Sequence, residues 1–162
     1  MRSRFSLLFV CLAFAGVASA EDACPVTKAP DPPFRPPAGF DAYPGRDGRF
    51  FFGTPDLWVV VTPTWKLGRT GRKLPYFSQH FFYGKSEVDP RMAVVARRVD
   101  SPAPLVWSDW VNGGGPSSGE EVQGFMVTSL PIPTAGCWEI TAHFTPARDK
   151  IHTLTYTVRV EP

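Results

Sequence analysis

Net charge is nearly absent from this 162-residue sequence, in which 17 Lys plus Arg stand against 15 Asp plus Glu. Two of the basic residues, Arg2 and Arg4, fall in a stretch that reads as a leader; without them the formal charge is zero. A chain with no basic excess lacks the electrostatic footprint of a nucleic-acid binder or of a polybasic membrane binder. Helical periodicity is missing too. Outside the first 20 residues, no window of about 12 carries it without Pro or Gly, which argues against a coiled coil. The length fits one domain and leaves no room for a large enzyme.

Long apolar runs are confined to the start. Met1 to Arg4 is short and basic, Phe5 to Ala18 is apolar or small, and Ala18-Ser19-Ala20 offers an A-x-A cleavage pattern. The run reaches about 21 Å at 1.5 Å per residue, short of a hydrocarbon core of roughly 30 Å. The expectation is a cleaved signal over residues 1–20, no transmembrane segment after cleavage, and a protein exported to the periplasm or beyond the cell. Arg2-Ser3-Arg4 is not a twin-arginine pair, and the charges of Glu21-Asp22 before Cys24 do not fit a lipoprotein signal.

Cysteine is scarce, three residues in all, and Cys11 leaves with the leader. Cys24 and Cys137 remain, and export permits a bridge between them. The alternative is a free thiol or a metal-binding pair. Proline is abundant, with 18 residues, and seven of them lie between positions 25 and 44. Proline fixes φ and removes an N–H, so residues 21–48 are expected to form an extended arm.

From residue 49 to 162 short β runs alternate with Pro and Gly punctuation. They are read at Arg49–Phe52, Leu57–Thr62, Gln79–Tyr83, Met92–Val99, Leu105–Val111, Gln123–Leu130, Cys137–Phe144 and Ile151–Val160. Such a series implies an all-β domain, an antiparallel β-sandwich or barrel. In the last two runs Trp138, Ile140, Ala142 and Phe144 alternate with polar residues, as do Leu154, Tyr156, Val158 and Val160. A hairpin must set apolar against apolar, which opposes Ala142 to Leu154 and Ile140 to Tyr156. Glu139 and Arg159 then share the solvent face at diagonal reach. Cys137 also points outward, so a bridge to Cys24 would clamp the arm over a sheet edge.

Chemistry is thinly signalled. The register places His143 outside and His152 at the mouth of the inner face beside Phe144, while His80 belongs to another strand. No metal site is expected from that arrangement. Gly115-Pro-Ser-Ser-Gly119 matches G-x-S-x-G around Ser117, but no helix follows and the hydrolase scaffold does not fit. No catalytic residue and no cofactor are expected. Aromatics are the enriched class, with 13 Phe, 5 Trp and 4 Tyr. Phe81, Phe82 and Tyr83 are consecutive, so a strand must turn some of them away from the core, and Trp107 and Trp110 would face opposite sides. These five are the candidate contact surface for an unknown protein or glycan. The competing reading is that the proline arm packs on the rings of this region.

The run Ala135-Gly-Cys-Trp-Glu-Ile-Thr-Ala142, the early Cys24-Pro-Val-Thr27 and Arg97-Arg98-Val-Asp-Ser-Pro-Ala-Pro104 resemble a group of uncharacterised exported bacterial proteins. With the closing Thr155-Tyr-Thr-Val-Arg-Val160, the first of these runs also resembles the end of small bacterial immunoglobulin-like modules. The resemblance implies an immunoglobulin-like sandwich and supports the Cys24–Cys137 pairing; it implies no activity. The sequence therefore points to a non-enzymatic exported module that contacts a protein or glycan or serves structurally. The alternative is a small periplasmic metal-handling protein.

Overall fold

The computed structural model describes residues 24–37, 48–68, 72–83, 91–108, 112–114, 122–147 and 150–162. The expected leader, residues 1–20, lies outside them. Among the described residues there is no helix. The strands are β1 (Phe50–Thr54), β2 (Leu57–Val61), β3 (Thr64–Lys66), β4 (Arg72–Tyr83) and β5 (Arg91–Arg98). They continue with β6 (Val106–Ser108), β7 (Asn112–Gly114), β8 (Val122–Leu130), β9 (Gly136–Ala147) and β10 (Lys150–Glu161). One sheet runs β1-β2-β4-β8-β7 and the other β3-β10-β9-β5-β6. The pairs are antiparallel except that of β3 with β10, and the two sheets make a β-sandwich.

The β9–β10 hairpin has the register the alternation demands: Ala142 faces Leu154, Ile140 faces Tyr156 and Phe144 faces His152. The inward set of each strand forms the core. Trp138, Ile140, Ala142 and Phe144 of β9 pack with Val94 and Ala96 of β5, Tyr156 and Val158 of β10, Val59 of β2 and Met126 of β8. Glu139 and Arg159 stand at the expected diagonal, but the ion pair Glu139 makes is with a third strand. Its register partner on β5 is Arg97, and the two pair at 2.8 Å. Direct cross-strand placement outcompetes the diagonal route to Arg159.

Two expected runs are revised. β4 begins at Arg72, although Pro75 reads as a breaker. Its ladder to β2 comprises Trp58↔Phe77 and Val59↔Tyr76 and stops just before the proline, where a missing N–H costs no ladder bond. Of the run Leu105–Val111, the described part forms only the three-residue β6, and β7 begins just past it at Asn112, in the other sheet.

The arm is built into this frame. Cys24 and Cys137 are joined by a disulfide of 2.08 Å across a sequence separation of 113. Thr27 N–H donates to Thr157 O at 3.0 Å, and Thr157 N–H donates to Thr27 Oγ1 at 2.7 Å. The outer edge of β10 is thus capped by the arm, and then by β3, where Arg159 N–H reaches Pro63 O. Covering an edge in this way removes a template for unwanted strand pairing. Further along, Phe34 lies over Trp58 with ring centroids 6.2 Å apart. Trp58, Phe51 and Phe77 form a small apolar cluster separate from the main core, with Phe34 and Val60 against it. The arm does pack on an aromatic ring, that of Trp58, which is not one of the five candidate surface residues.

Asp100 ties the bridge to β5. Arg98 Nε donates to its Oδ1 at 2.6 Å, and Cys137 N–H donates to its Oδ2 at 3.0 Å. Gly136, at φ +144°, lets the Arg98 guanidinium lie where a Cβ would collide with it. The Arg98 hydrogen bond is the largest influence on the Asp100 carboxyl, and with the Cys137 N–H it outweighs burial, holding the group below the usual carboxylate range. A depressed native pKa stabilises the fold above the unfolded value of about 3.9 and is lost as pH falls through the native value. Asp100→Asn should cost about 1–2 kcal/mol near pH 6. The gap in melting temperature from the parent chain should close as pH is lowered through the acid range.

Candidate functional site

At one end of the sandwich three irregular segments converge. Thr54 and Leu57 close a two-residue turn, Pro55-Asp56, between β1 and β2. Proline presets φ for such a turn. Gly53, at φ +136°, is required just before it, because a Cβ there would strike the Leu57 carbonyl and Trp58 Cα. In β4 the register jumps from Phe77↔Phe125 to Phe82↔Gln123, so extra residues bulge out. Gln79 N–H bonds Pro55 O at 3.0 Å, pinning the bulge to the turn. The buried Ser78 accepts from His80 N–H at 3.1 Å. A third irregularity at the start of β10 lies between Lys150 and His152.

These segments bring together Asp56, His80 and His152. Their metal-capable atoms all lie within 4.8 Å of one another. His80 Nε2 donates to Asp56 Oδ1 at 2.8 Å, and Gln79 Nε2 donates to the same oxygen at 2.9 Å. His152 Nδ1 stands 3.8 Å from Asp56 Oδ2, beyond hydrogen-bonding distance. Its Nε2 is buried with no hydrogen-bond partner. The two imidazoles stack with centroids 5.5 Å apart and planes 18° from parallel, and His152 also stacks on Phe144. The His80 hydrogen bond is the main reason the Asp56 carboxyl lies below the usual range; burial opposes it, while Gln79 and the charges of both imidazoles add to it.

Sequence reasoning placed His152 at the mouth of the inner face and His143 outside, and both are there: His152 faces Phe144, while the exposed His143 bonds Thr153 Oγ1 at 3.1 Å. It missed the meeting of His80 with His152. That meeting depends on the β4 bulge and on a turn aspartate with no motif of its own.

Of the five candidate surface residues, the two whose side chains are described, Phe81 and Trp107, do not share a surface. Phe81 is a core residue at 5% exposure, because the irregular stretch after Phe77 turns its ring inward. This corrects its assignment to a contact surface. Trp107, on edge strand β6 of the other sheet, is 64% exposed, with Leu105 beside it in sequence at 62%. The side chains of Phe82 and Tyr83, and all of Trp110 and Ser117, lie outside the described residues.

The fold defines the class, an all-β sandwich of two sheets. No family model matches the chain, and no curated protein matches it. Among solved structures it is similar to a candidate lipoprotein from Bacillus anthracis. The identity is 9% and the TM-score 0.39, over 94% of this chain and 98% of that one. At that score the likeness carries no argument about function. Among the described residues no helix is long and apolar enough to cross a membrane.

Proposed function

We propose that this chain is an exported, non-enzymatic binding module of immunoglobulin-like type, acting in the periplasm or outside the cell. Export is supported by the leader pattern of residues 1–20 and by the Cys24–Cys137 bridge, since such bonds persist in oxidising compartments. The immunoglobulin-like assignment is supported by strand order. With β2 as strand A, β2-β4-β8-β7 follows A-B-E-D and β10-β9-β5-β6 follows G-F-C-C′. The chain departs from that pattern in three ways: β1 is an added edge strand, β3 is another, parallel to β10, and the bridge runs from strand F to the arm instead of joining the sheets.

The observation that carries the binding reading is Trp107, an indole 64% exposed on a three-residue edge strand. Large exposed aromatics offer a protein or glycan partner apolar area and a polar handle together. Expressed in a bacterial host, the full chain is expected in the periplasm or medium, beginning at Glu21 and lighter than its reduced mass by the two thiol hydrogens lost with their electrons to the host's oxidising machinery. Hydroxyl-radical footprinting should find Trp107 oxidised in the purified protein and protected in intact cells of its native host. An uncleaved cytoplasmic chain would contradict export, and equal oxidation in the two settings would contradict a contact role.

A second reading, metal handling, is favoured by one observation, the imidazole pair and carboxylate at the end of the sandwich.

A further inference from the structure

We infer that Asp56, His80 and His152 bind one divalent transition ion of the zinc and copper class, which joins the two sheets at the end of the sandwich. The inference makes the metal-handling reading specific and does not depend on the partner-binding one.

His152 carries the argument. A neutral imidazole has one donor and one acceptor nitrogen, and this ring satisfies neither by hydrogen bonding. Nε2 is buried without a hydrogen-bond partner, and Nδ1 points toward Asp56 Oδ2 from 3.8 Å. An ion between Nδ1 and the carboxylate gives that nitrogen a partner at bonding distance. His80 Nε2 lies 2.8 Å from the other oxygen of the same carboxylate, and its ring stacks against His152. Replacing its Nε2 proton by the ion completes a set of two imidazoles and one carboxylate.

The donor set decides the class of ion. Imidazole nitrogen suits zinc, copper and nickel, whereas calcium and magnesium demand several oxygen ligands that one aspartate cannot supply. Bond lengths of about 2.0–2.2 Å place tetrahedral ligands roughly 3.3–3.5 Å apart. The donors here lie within 4.8 Å, so binding requires them to close by about 1 Å. Their supports are a turn, a bulge and an irregular strand start, places where a strand re-aims its side chains away from the regular ladder. Gln79, donating to Asp56, orients the carboxylate for the ion. Side-chain exposures of 36% for His80, 39% for Asp56 and 21% for His152 leave a route in and a coordination position open to water or a partner's donor group. Asp56 and His80 belong to the β1-β2-β4 sheet and His152 to the other, so the ion acts as a latch between them.

The test is calorimetric titration of the purified, disulfide-intact, chelator-treated chain with zinc chloride. One ion per chain is expected with a Kd below about 100 µM. His80→Ala and His152→Ala should each weaken binding at least roughly tenfold, while His143→Ala on the outer face leaves it unchanged. Saturating zinc should raise the melting temperature on the order of 5–10 °C in the parent chain and not in the two variants. Cobalt substitution of the parent chain needs no variant: visible bands of a four- or five-coordinate nitrogen–oxygen site are expected. Weaker or undetectable binding, unaltered affinity in either His80→Ala or His152→Ala, or a cobalt spectrum matching the hydrated ion would each overturn the inference. None of these outcomes bears on cleavage at Ala20 or on the protection of Trp107.

Discussion

Removing the disulfide should lower the unfolding free energy by about 4–5 kcal/mol, the largest effect expected of any local change in this molecule. The bridge closes a loop with a sequence separation of 113 that holds β1 to β8, and the entropy it removes from the unfolded chain grows with that length. Cys137 is 1% exposed, so alanine is the appropriate replacement; serine would add the cost of a buried hydroxyl. Against a total of about 5–15 kcal/mol for a domain of this kind, the loss is a large share. Urea unfolding of Cys24→Ala/Cys137→Ala beside the oxidised parent measures it directly. A difference under about 1 kcal/mol would mean that the arm constrains little of the unfolded ensemble.

The second large effect is expected at Trp58, which has no exposed surface despite lying outside the main core. It stacks on Phe77 with centroids 5.9 Å apart, and Phe34 of the arm lies across it. Trp58→Ala should cost about 3–5 kcal/mol, the range for deleting a buried indole. The arm should also loosen, speeding tryptic cleavage after the exposed Lys28. Trp58→Phe keeps a ring under Phe34 and should recover much of the loss. Phe34→Ala should cost less than Trp58→Ala, because Phe34 is only partly buried. The double variant should fall short of the sum, because the two rings share one contact. Unchanged cleavage in Trp58→Ala would show that Phe34 does not hold the arm.

Much of the fold was legible because the period of a strand is two. The alternation through Trp138 to Phe144 and Leu154 to Val160 sets the β9–β10 register residue by residue. What was not legible depends on contacts distant in sequence. β3 is three residues long and exists because the chain crosses after Val61 to pair in parallel with β10. Pro75 reads as a breaker until the end of the β2 ladder is known. The candidate site is of this second kind. No spacing links Asp56, His80 and His152; a turn, a bulge and an irregular strand start carry them to one place. Phe81 fails as a surface residue for the same reason, since the strand's phase changes within the bulge.

The proline arm is a built part of the sandwich, held by its bridge and closing the edge of β10. Amide hydrogen exchange at Thr157, whose N–H donates to Thr27 Oγ1 at 2.7 Å, tests it most directly. In the oxidised chain this amide should exchange as slowly as those of the β9–β10 ladder. In Cys24→Ala/Cys137→Ala it should exchange at least roughly tenfold faster than they do. Rapid exchange of Thr157 in the oxidised chain would contradict the claim, as would equal protection after the bridge is gone.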